Sequence, residues 1–191
     1  MKKINQFKKK RYIYNTKIQN FTGRNIMAKD LNEFLEDFKS VNISTLDEKG
    51  NPFSSYAPFI KVEGKYYVYI SRMAKHTSNL KRKNICSLFF VEDEISCSNI
   101  FARKRAMVQC DSKIIEQDSD EETNKLSQFK TKFGDDMINM LKGMKDFHVF
   151  ELTPFYGEAV FGFGKAYNLG GKDFSEFVDR PSDGSKGHGS K

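Results

Sequence analysis

The sequence predicts a barrel-like α+β domain, in which helices are inserted among several short strands. Three observations indicate this class: strand-like alternation recurs along the chain, a strand–helix–strand segment lies near its middle, and aromatic residues are abundant. The chain has 18 Phe and 8 Tyr but no Trp. This composition suits a β-rich core, because aromatic side chains pack well on a pleated surface. A length of 191 residues is enough for one domain with tails.

The first half of the chain opens with a helix and continues with strands. Asp30 is a suitable N-cap for a helix that carries Leu31, Phe34, Leu35 and Phe38 on one stripe. The pattern that follows predicts strands over residues 41–45, 53–61 and 65–71 and a short helix over residues 77–83.

The second half alternates between strands and helices before it becomes polar. The pattern predicts strands over residues 87–91 and 100–116, helices over 121–133 and 135–144, and late strands over 147–152 and 159–166. From residue 168 onward Gly, Ser, Lys and Asp dominate, so we expect order to decay. We therefore divide the chain into a basic arm over residues 1–27, a barrel domain over 28–167 and a flexible tail over 168–191.

The positive charge of the chain is concentrated in the N-terminal arm. The formal net charge is +7, yet residues 1–26 carry eight Lys and Arg and no Asp or Glu. The remaining chain is close to neutral, with 24 basic and 25 acidic residues. A basic arm can bind nucleic acid or anionic lipid, but with a neutral body we expect neither a nucleic-acid nor a membrane partner.

Cysteine usage and hydrophobic patterning predict a cytoplasmic protein. Cys86, Cys97 and Cys110 are odd in number and follow no metal-binding spacing. No apolar segment follows the N-terminal lysines, so the arm does not have the pattern of a secretory signal. We expect reduced thiols.

The most informative local motif lies within residues 89–110, where an acidic triplet is followed by Arg103, Lys104 and Arg105. If this basic segment opens a strand, Arg103 and Arg105 share one face, about 6–7 Å apart. Two guanidinium groups at that spacing suit a ligand with carboxylates or phosphates. The alternative is a solvated strand face with two surface arginines.

The three histidines have different local contexts. His76 stands at the start of a predicted helix, where it could cap that helix or line a cleft. His148 lies in a predicted strand between apolar residues, a setting typical of a structural histidine. His188 lies between two glycines in the polar tail, and composition alone gives it no role.

Taken together, the basic segment and four other regions resemble the haem-utilisation proteins of the HugZ type. These proteins belong to the pyridoxamine-phosphate-oxidase-like split-barrel superfamily, many members of which bind flavin. The other regions that carry the resemblance are SYAPFIKVEGKYYVYISRMAKHTSNLKRKN at residues 55–84, KDFHVFEL at 145–152, VFGFGKAYNL at 160–169 and KGHGSK at 186–191. The resemblance implies a split β-barrel with flanking helices.

The resemblance also implies a haem site at the interface of a homodimer. In HugZ-type proteins a histidine of the C-terminal loop is the axial iron ligand, and His188 is the histidine in the matching position. The second arginine of the family's Arg-Lys-Arg strand lies close to the small molecule bound to the iron, and Arg105 matches it. Arg103 would contact a propionate or a structural partner, and Lys104 would add positive potential.

Further aromatic and polar residues complete the expected cofactor site. Phe161 and Phe163, with Phe101, are candidates for packing against the macrocycle, and His76 is the next candidate for a contact with the cofactor. The implied reaction is oxygen-dependent ring opening of haem with release of iron, fed by an external electron donor.

Two other functions stay open on the same residues. An FMN-dependent oxidoreductase would use the basic segment to hold the FMN phosphate. A haem carrier or sensor would bind haem without turnover. Fold analogy alone does not separate these functions.

Overall fold

A computed structural model of the chain describes residues 30–171 and 173–180. Helix α1 covers residues 30–36 within this range, and three further α-helices and a 3₁₀ helix follow. The strands are β1 Ser40–Leu46, β2 Pro52–Val62, β3 Lys65–Ser71, β4 Ile85–Val91, β5 Arg105–Ile114, β6 Phe147–Val160, β7 Ala166–Gly170 and β8 Glu176–Asp179. The other helices are α2 Lys75–Arg82, the 3₁₀ helix Ile100–Ala102, α3 Asp120–Phe133 and α4 Asp135–Gly143.

Six strands form a closed antiparallel barrel. Their order is β3-β2-β1-β4-β5-β6, and pairing between β3 and β6 closes the ring. The 14-residue β6 pairs with β3 along its first half and with β7 near its end, and β8 pairs with β7. Two strands thus extend the sheet beyond the closed barrel. The predicted α+β split barrel with flanking helices is confirmed.

The barrel has two hydrophobic cores, one on each side of the sheet. Alternation along β3 shows why: Tyr66 and Val68 point into the barrel, whereas Tyr67 and Tyr69 point outward and are covered by α3 and α4. Both sets are buried, so β3 reads as a nearly continuous apolar run rather than an alternating one. Burying a side chain of this size contributes roughly 1.5–3 kcal/mol.

A bulge explains why the sequence predicts β6 too short. Pro154 and Gly157 lie inside the strand, and both residue types are depleted in strand interiors. In the register with β5, Gln109 pairs with Tyr156 and Cys110 pairs with Pro154, which leaves Phe155 as an extra residue. The strand therefore continues through the segment that the composition marks as a break.

The polar C-terminal region is structured further than the sequence predicts. Residues 166–170 and 176–179 form β7 and β8, although the expected loss of order began at residue 168. Leu169 and Phe177 are buried, and the Phe177 ring packs 5.0 Å from the Phe161 ring, centroid to centroid. The many glycines and charged residues around these two apolar residues are the reason why the sequence did not predict the two strands.

Candidate functional site

The basic segment lies where the 3₁₀ helix leads into β5. The strand begins at Arg105, so Arg103 and Lys104 belong to the connection and not to the strand. The prediction of a strand from residue 100 is therefore wrong. Arg103 lies outside the strand, so strand alternation does not place it on one face with Arg105.

Arg103 is held by the acidic triplet that precedes it. Its Nε donates to the Glu92 carbonyl oxygen at 2.8 Å, Nη2 donates to the same oxygen, and Nη1 lies 3.0 Å from Glu94 Oε1. The side chain of Arg103 is 19% exposed. Glu92 Oε2 also accepts from the Lys104 amide at 3.0 Å. The triplet and Arg103 thus close the loop between β4 and β5.

Arg105 is held less completely. Its half-buried guanidinium donates through Nη1 to the Arg103 carbonyl at 3.1 Å, and no carboxylate of the described residues forms an ion pair with it. A guanidinium carries five N–H donors. Arg105 therefore has N–H donors available for a carboxylate or another anionic group. All three guanidinium nitrogens of Arg103, in contrast, already donate to Glu92 or Glu94.

Phe161 and Phe163 lie in the turn between β6 and β7, next to Arg105. Val160, which pairs with Arg105 in the register, is the last residue of β6 before this turn. Phe161 packs inward, 5.3 Å from the Phe34 ring by centroids, while Phe163 is 73% exposed. Gly162 and Gly164 on either side of Phe163 have φ of 120° and 71°, a region that disfavours other residues. The two glycines make Phe163 the tip of the turn.

An exposed Phe101 and a polar cavity complete this end of the barrel. Phe101 is 84% exposed and lies on the 3₁₀ helix, four residues before Arg105. A cavity of about 650 Å³ opens beside them, with Lys104 among its lining residues. The rest of the lining consists of aromatic rings and carboxylates from α1 and the two residues after it, two carboxylates of the acidic triplet, and Ser96.

His76 is separated from Arg105 within the barrel. It is buried on α2, and its Nδ1 lies 2.9 Å from Ser55 Oγ. Burial lowers the pKa of the His76 imidazole. Ser55 pairs with Ile43, which pairs with Leu88, so the partner of His76 is in register three residues from Val91, the residue that pairs with Arg105. Strands β1 and β4 also lie between β2 and β5, and three strand spacings amount to about 14 Å across the sheet. One chain therefore does not bring His76 and Arg105 together.

The remaining histidines differ in what the structure describes. His148 on β6 is buried, and neither ring nitrogen has a hydrogen-bond partner among the described residues. Burial, together with Lys81 and Arg72, lowers the pKa of His148. His188 lies outside the described residues. No group of three or more candidate metal ligands occurs within residues 30–171 and 173–180.

A row of outward-facing side chains, which the sequence pattern does not reveal, runs across the barrel. Tyr56 pairs with Asn42, Asn42 with Phe89, and Phe89 with Met107, so the row crosses β2, β1, β4 and β5. Tyr56 and Phe89 are exposed. We call these four residues the aromatic sheet face. Exposed aromatics in one row on the same face of a sheet are a signal for an interface, but this row can be recognised only once the order of the strands is known.

The comparisons with known proteins agree with this architecture. The family model described as pyridoxamine 5'-phosphate oxidase matches residues 27–161. The protein named heme oxygenase HutZ from Vibrio cholerae serotype O1 is 36% identical over 149 residues, which cover 78% of this chain and 84% of the relative.

Two solved structures are similar in both sequence and fold. Vibrio cholerae HutZ, described with its structure as a heme storage protein, has a TM-score of 0.64 at 32% identity and matches 68% of this chain and 90% of its own. Campylobacter jejuni ChuZ has a TM-score of 0.69 at 31% identity, with 78% of this chain and 60% of its own covered. No helix among the described residues is long and apolar enough to cross a membrane.

Proposed function

Because the chain belongs to the HugZ-type haem-utilisation family of pyridoxamine-phosphate-oxidase-like split barrels, we propose that it binds haem and opens the ring with oxygen, releasing iron. The observation that carries the proposal is the position of Arg105. Its half-buried guanidinium has N–H donors without a partner among the described residues and lies beside exposed aromatic side chains. When bound, haem is both the substrate and the source of the redox chemistry. An external electron donor supplies the reducing equivalents.

Arg105 and its neighbours fit a flat, anionic substrate. A positive charge fixed in a partly desolvated site stabilises negative charge that develops on a reacting oxygen. Lys104 is exposed and adds positive potential for a propionate. Phe163 and Phe101 offer apolar rings that a macrocycle could cover. Arg103 holds the loop that positions Arg105, and Phe161 supports the turn that presents Phe163.

The axial iron ligand in this proposal is His188. Its support is the resemblance: a histidine between two glycines follows the last strand, at the position of the ligand in HugZ-type proteins. A neutral imidazole is a suitable ligand for haem iron. Gly187 and Gly189 would let the backbone approach a flat ring closely.

The proposal includes a homodimer in the cytoplasm. The aromatic sheet face is a suitable contact surface, because none of its four side chains is charged. A partner can therefore bury them without leaving a charged group unpaired. A second copy would also remove the separation between His76 and Arg105, since groups that are separated in one barrel can meet across an interface. Light scattering that gives a monomer at micromolar concentration would contradict this part.

The decisive experiment is a haemin titration followed by turnover. We expect a Soret band that saturates at a fixed haem-to-protein ratio. Addition of a reductant in air should then bleach the band and deliver iron to a ferrous chelator. Arg105→Ala should bind haem and bleach slowly, with Lys113→Ala, an exposed lysine on the same strand, as the control.

Two outcomes would favour the other functions. A Soret band that persists with reductant and oxygen would indicate a haem carrier, the function suggested by the description of one relative as a heme storage protein. Purified protein with the paired bands of a flavin and no response to haemin would indicate the FMN-dependent oxidoreductase. In that case Lys104 and Arg105 would be the candidates to hold the FMN phosphate.

A further inference from the structure

A second cavity lies between α1, β2 and α3, and none of its lining residues belongs to the proposed haem site. Its volume is about 450 Å³. Leu35, Phe59 and Ile60 provide an apolar floor, and the polar lining includes Lys61 and Lys132. The size suits a small metabolite.

The two lysine ammonium groups of this cavity are desolvated without a carboxylate in ion-pair contact. Lys132 Nζ lies 4.2 Å from the centroid of the Phe59 ring, which is 1% exposed, and donates to the Phe38 carbonyl at 2.9 Å. Lys61 Nζ donates to Asn32 Oδ1 at 3.2 Å. No ion pair of either lysine occurs within the part of the chain that the structure describes.

The described lining residues of the cavity carry a net positive charge. Glu36 is the one carboxylate among its lining residues, against two ammonium groups. Burial lowers the pKa of both lysines, and Asp173 and Glu36 partly oppose that effect at Lys61. Desolvated cations with incomplete partners are costly in a folded protein and are typical of binding sites.

One further polar atom of the cavity has no partner. Gln128 Oε1 is buried and accepts no hydrogen bond from the described residues, although the Nε2 of the same amide donates to Asn124 Oδ1 at 3.1 Å. A buried acceptor without a donor costs free energy that a ligand can recover. The cavity therefore offers two cations for an acid group and one acceptor for a donor.

We infer that this cavity binds a small hydroxycarboxylate, with the carboxylate held by Lys61 and Lys132 and the hydroxyl donating to Gln128. The apolar floor would contact the carbon chain. Neither the cavity nor the inference depends on haem chemistry.

The test is calorimetric titration of the full-length protein with L-malate at constant ionic strength, with succinate and inorganic phosphate as comparison probes. We expect saturable binding of malate, at least severalfold tighter than that of succinate, which lacks the hydroxyl, or of phosphate. Lys61→Met and Lys132→Met should each weaken malate binding by about tenfold or more, because each removes a charge-assisted hydrogen bond. Lys130→Met, on the same helix but outside the cavity, should bind as wild type does.

Structural roles for the lysines give a different result. Lys132→Met would then lower the urea midpoint of unfolding, and malate would bind equally to wild type and Lys61→Met. The inference is overturned if malate shows no saturable binding, if succinate or phosphate binds as tightly as malate, or if neither lysine variant changes malate affinity. Loss of malate binding in Lys61→Met with an unchanged unfolding midpoint supports it even if Lys132→Met does not fold.

Discussion

The two ends of the barrel differ in how completely their side chains are buried and hydrogen-bonded. At the α2 end, Asn79 Nδ2 donates to Thr45 Oγ1 at 2.9 Å, Thr77 Oγ1 donates to the Ser71 carbonyl at 2.6 Å, and His76 contacts Ser55. These side chains are largely buried and hydrogen-bonded within the fold, although Asn79 Oδ1 has no partner among the described residues. At the Arg105 end, Phe101 and Phe163 are exposed, and the Arg105 guanidinium has one hydrogen-bond partner, the Arg103 carbonyl, among the described residues. Polar groups that are already satisfied hold a fold together, whereas groups with donors to spare can bind a ligand.

The largest effect should come from the tail that follows the Arg105 end. His188→Ala is expected to shift the Soret maximum, weaken haem binding and abolish degradation, because it removes the proposed axial ligand. The measurement is a ferric haem spectrum followed by the bleaching rate in air with a reductant. His148→Leu, at a buried histidine outside the proposed site, is the control, and its spectrum should be that of wild type. An unchanged spectrum in His188→Ala would transfer the ligand role to His76.

The next effect separates the two neighbouring arginines. Arg105→Ala should slow haem degradation by about 10²–10³-fold while haem still binds, since one preorganised donor to a developing negative charge is lost. Haem affinity and the single-turnover bleaching rate are measured in parallel. Equal loss of affinity and rate would make Arg105 an anchor for a propionate. An unchanged rate would contradict the proposed role of Arg105 in haem degradation.

At the α2 end the expected effect is on stability alone. Asn79→Ala should lower the free energy of unfolding by about 1–3 kcal/mol, because the buried Thr45 hydroxyl loses its donor. Urea denaturation monitored by circular dichroism gives the value. Ser78→Ala on the same helix is the control, since Ser78 is half-buried and, among the described residues, its hydroxyl bonds to the Lys75 carbonyl of its own helix. Haem affinity and the rate of haem degradation should be unchanged in both variants.

A smaller effect should appear as pH falls. The pKa of His148 and that of His76 are lowered below the usual 6.5 in the folded protein, mainly by burial. The unfolded chain therefore binds more protons below that value, and stability that is complete above pH 6.5 is lost on acidification. The urea midpoint should decrease between pH 7 and about pH 5.

His148→Leu tests the source of this pH dependence. The His148 ring nitrogens have no hydrogen-bond partners among the described residues, so the substitution should cost little at pH 8. It should also flatten the decrease in the urea midpoint on acidification. A midpoint that falls as steeply in His148→Leu as in wild type would assign the effect to other groups.

The smallest effect is expected from the basic arm, which carries none of the residues assigned to either end. A chain that begins at Met27 should have the urea midpoint and haem affinity of the full chain. The hydrophobic core of the described residues starts at Leu31. A loss of haem binding without the arm would show that the arm contributes to the site.

Periodicity, turn residues and composition were enough to predict the class of fold and most of its elements. The stripe of α1, the strands on either side of the 63–64 turn and the helices α3 and α4 follow from local patterns, because each has to bury one face. The ordered set of motifs also identified the family, since the basic segment, the region around His76 and the 160–169 segment recur in a fixed order. Sequence alone therefore supplied candidate residues for the site.

Only the tertiary structure decided which of these candidates lie in the same environment. Arg103 and Arg105 look equivalent in the sequence, but the acidic triplet holds Arg103 and leaves Arg105 with free donors. His76 and Arg105 are kept apart because β1 and β4 lie between β2, which His76 contacts, and β5, which begins with Arg105. The bulge at Phe155 and the burial of Leu169 and Phe177 arise from pairing between segments that are distant along the chain. Local pattern reports which side a residue prefers, whereas the partners that satisfy its charge and hydrogen bonds are brought to it by the closed barrel.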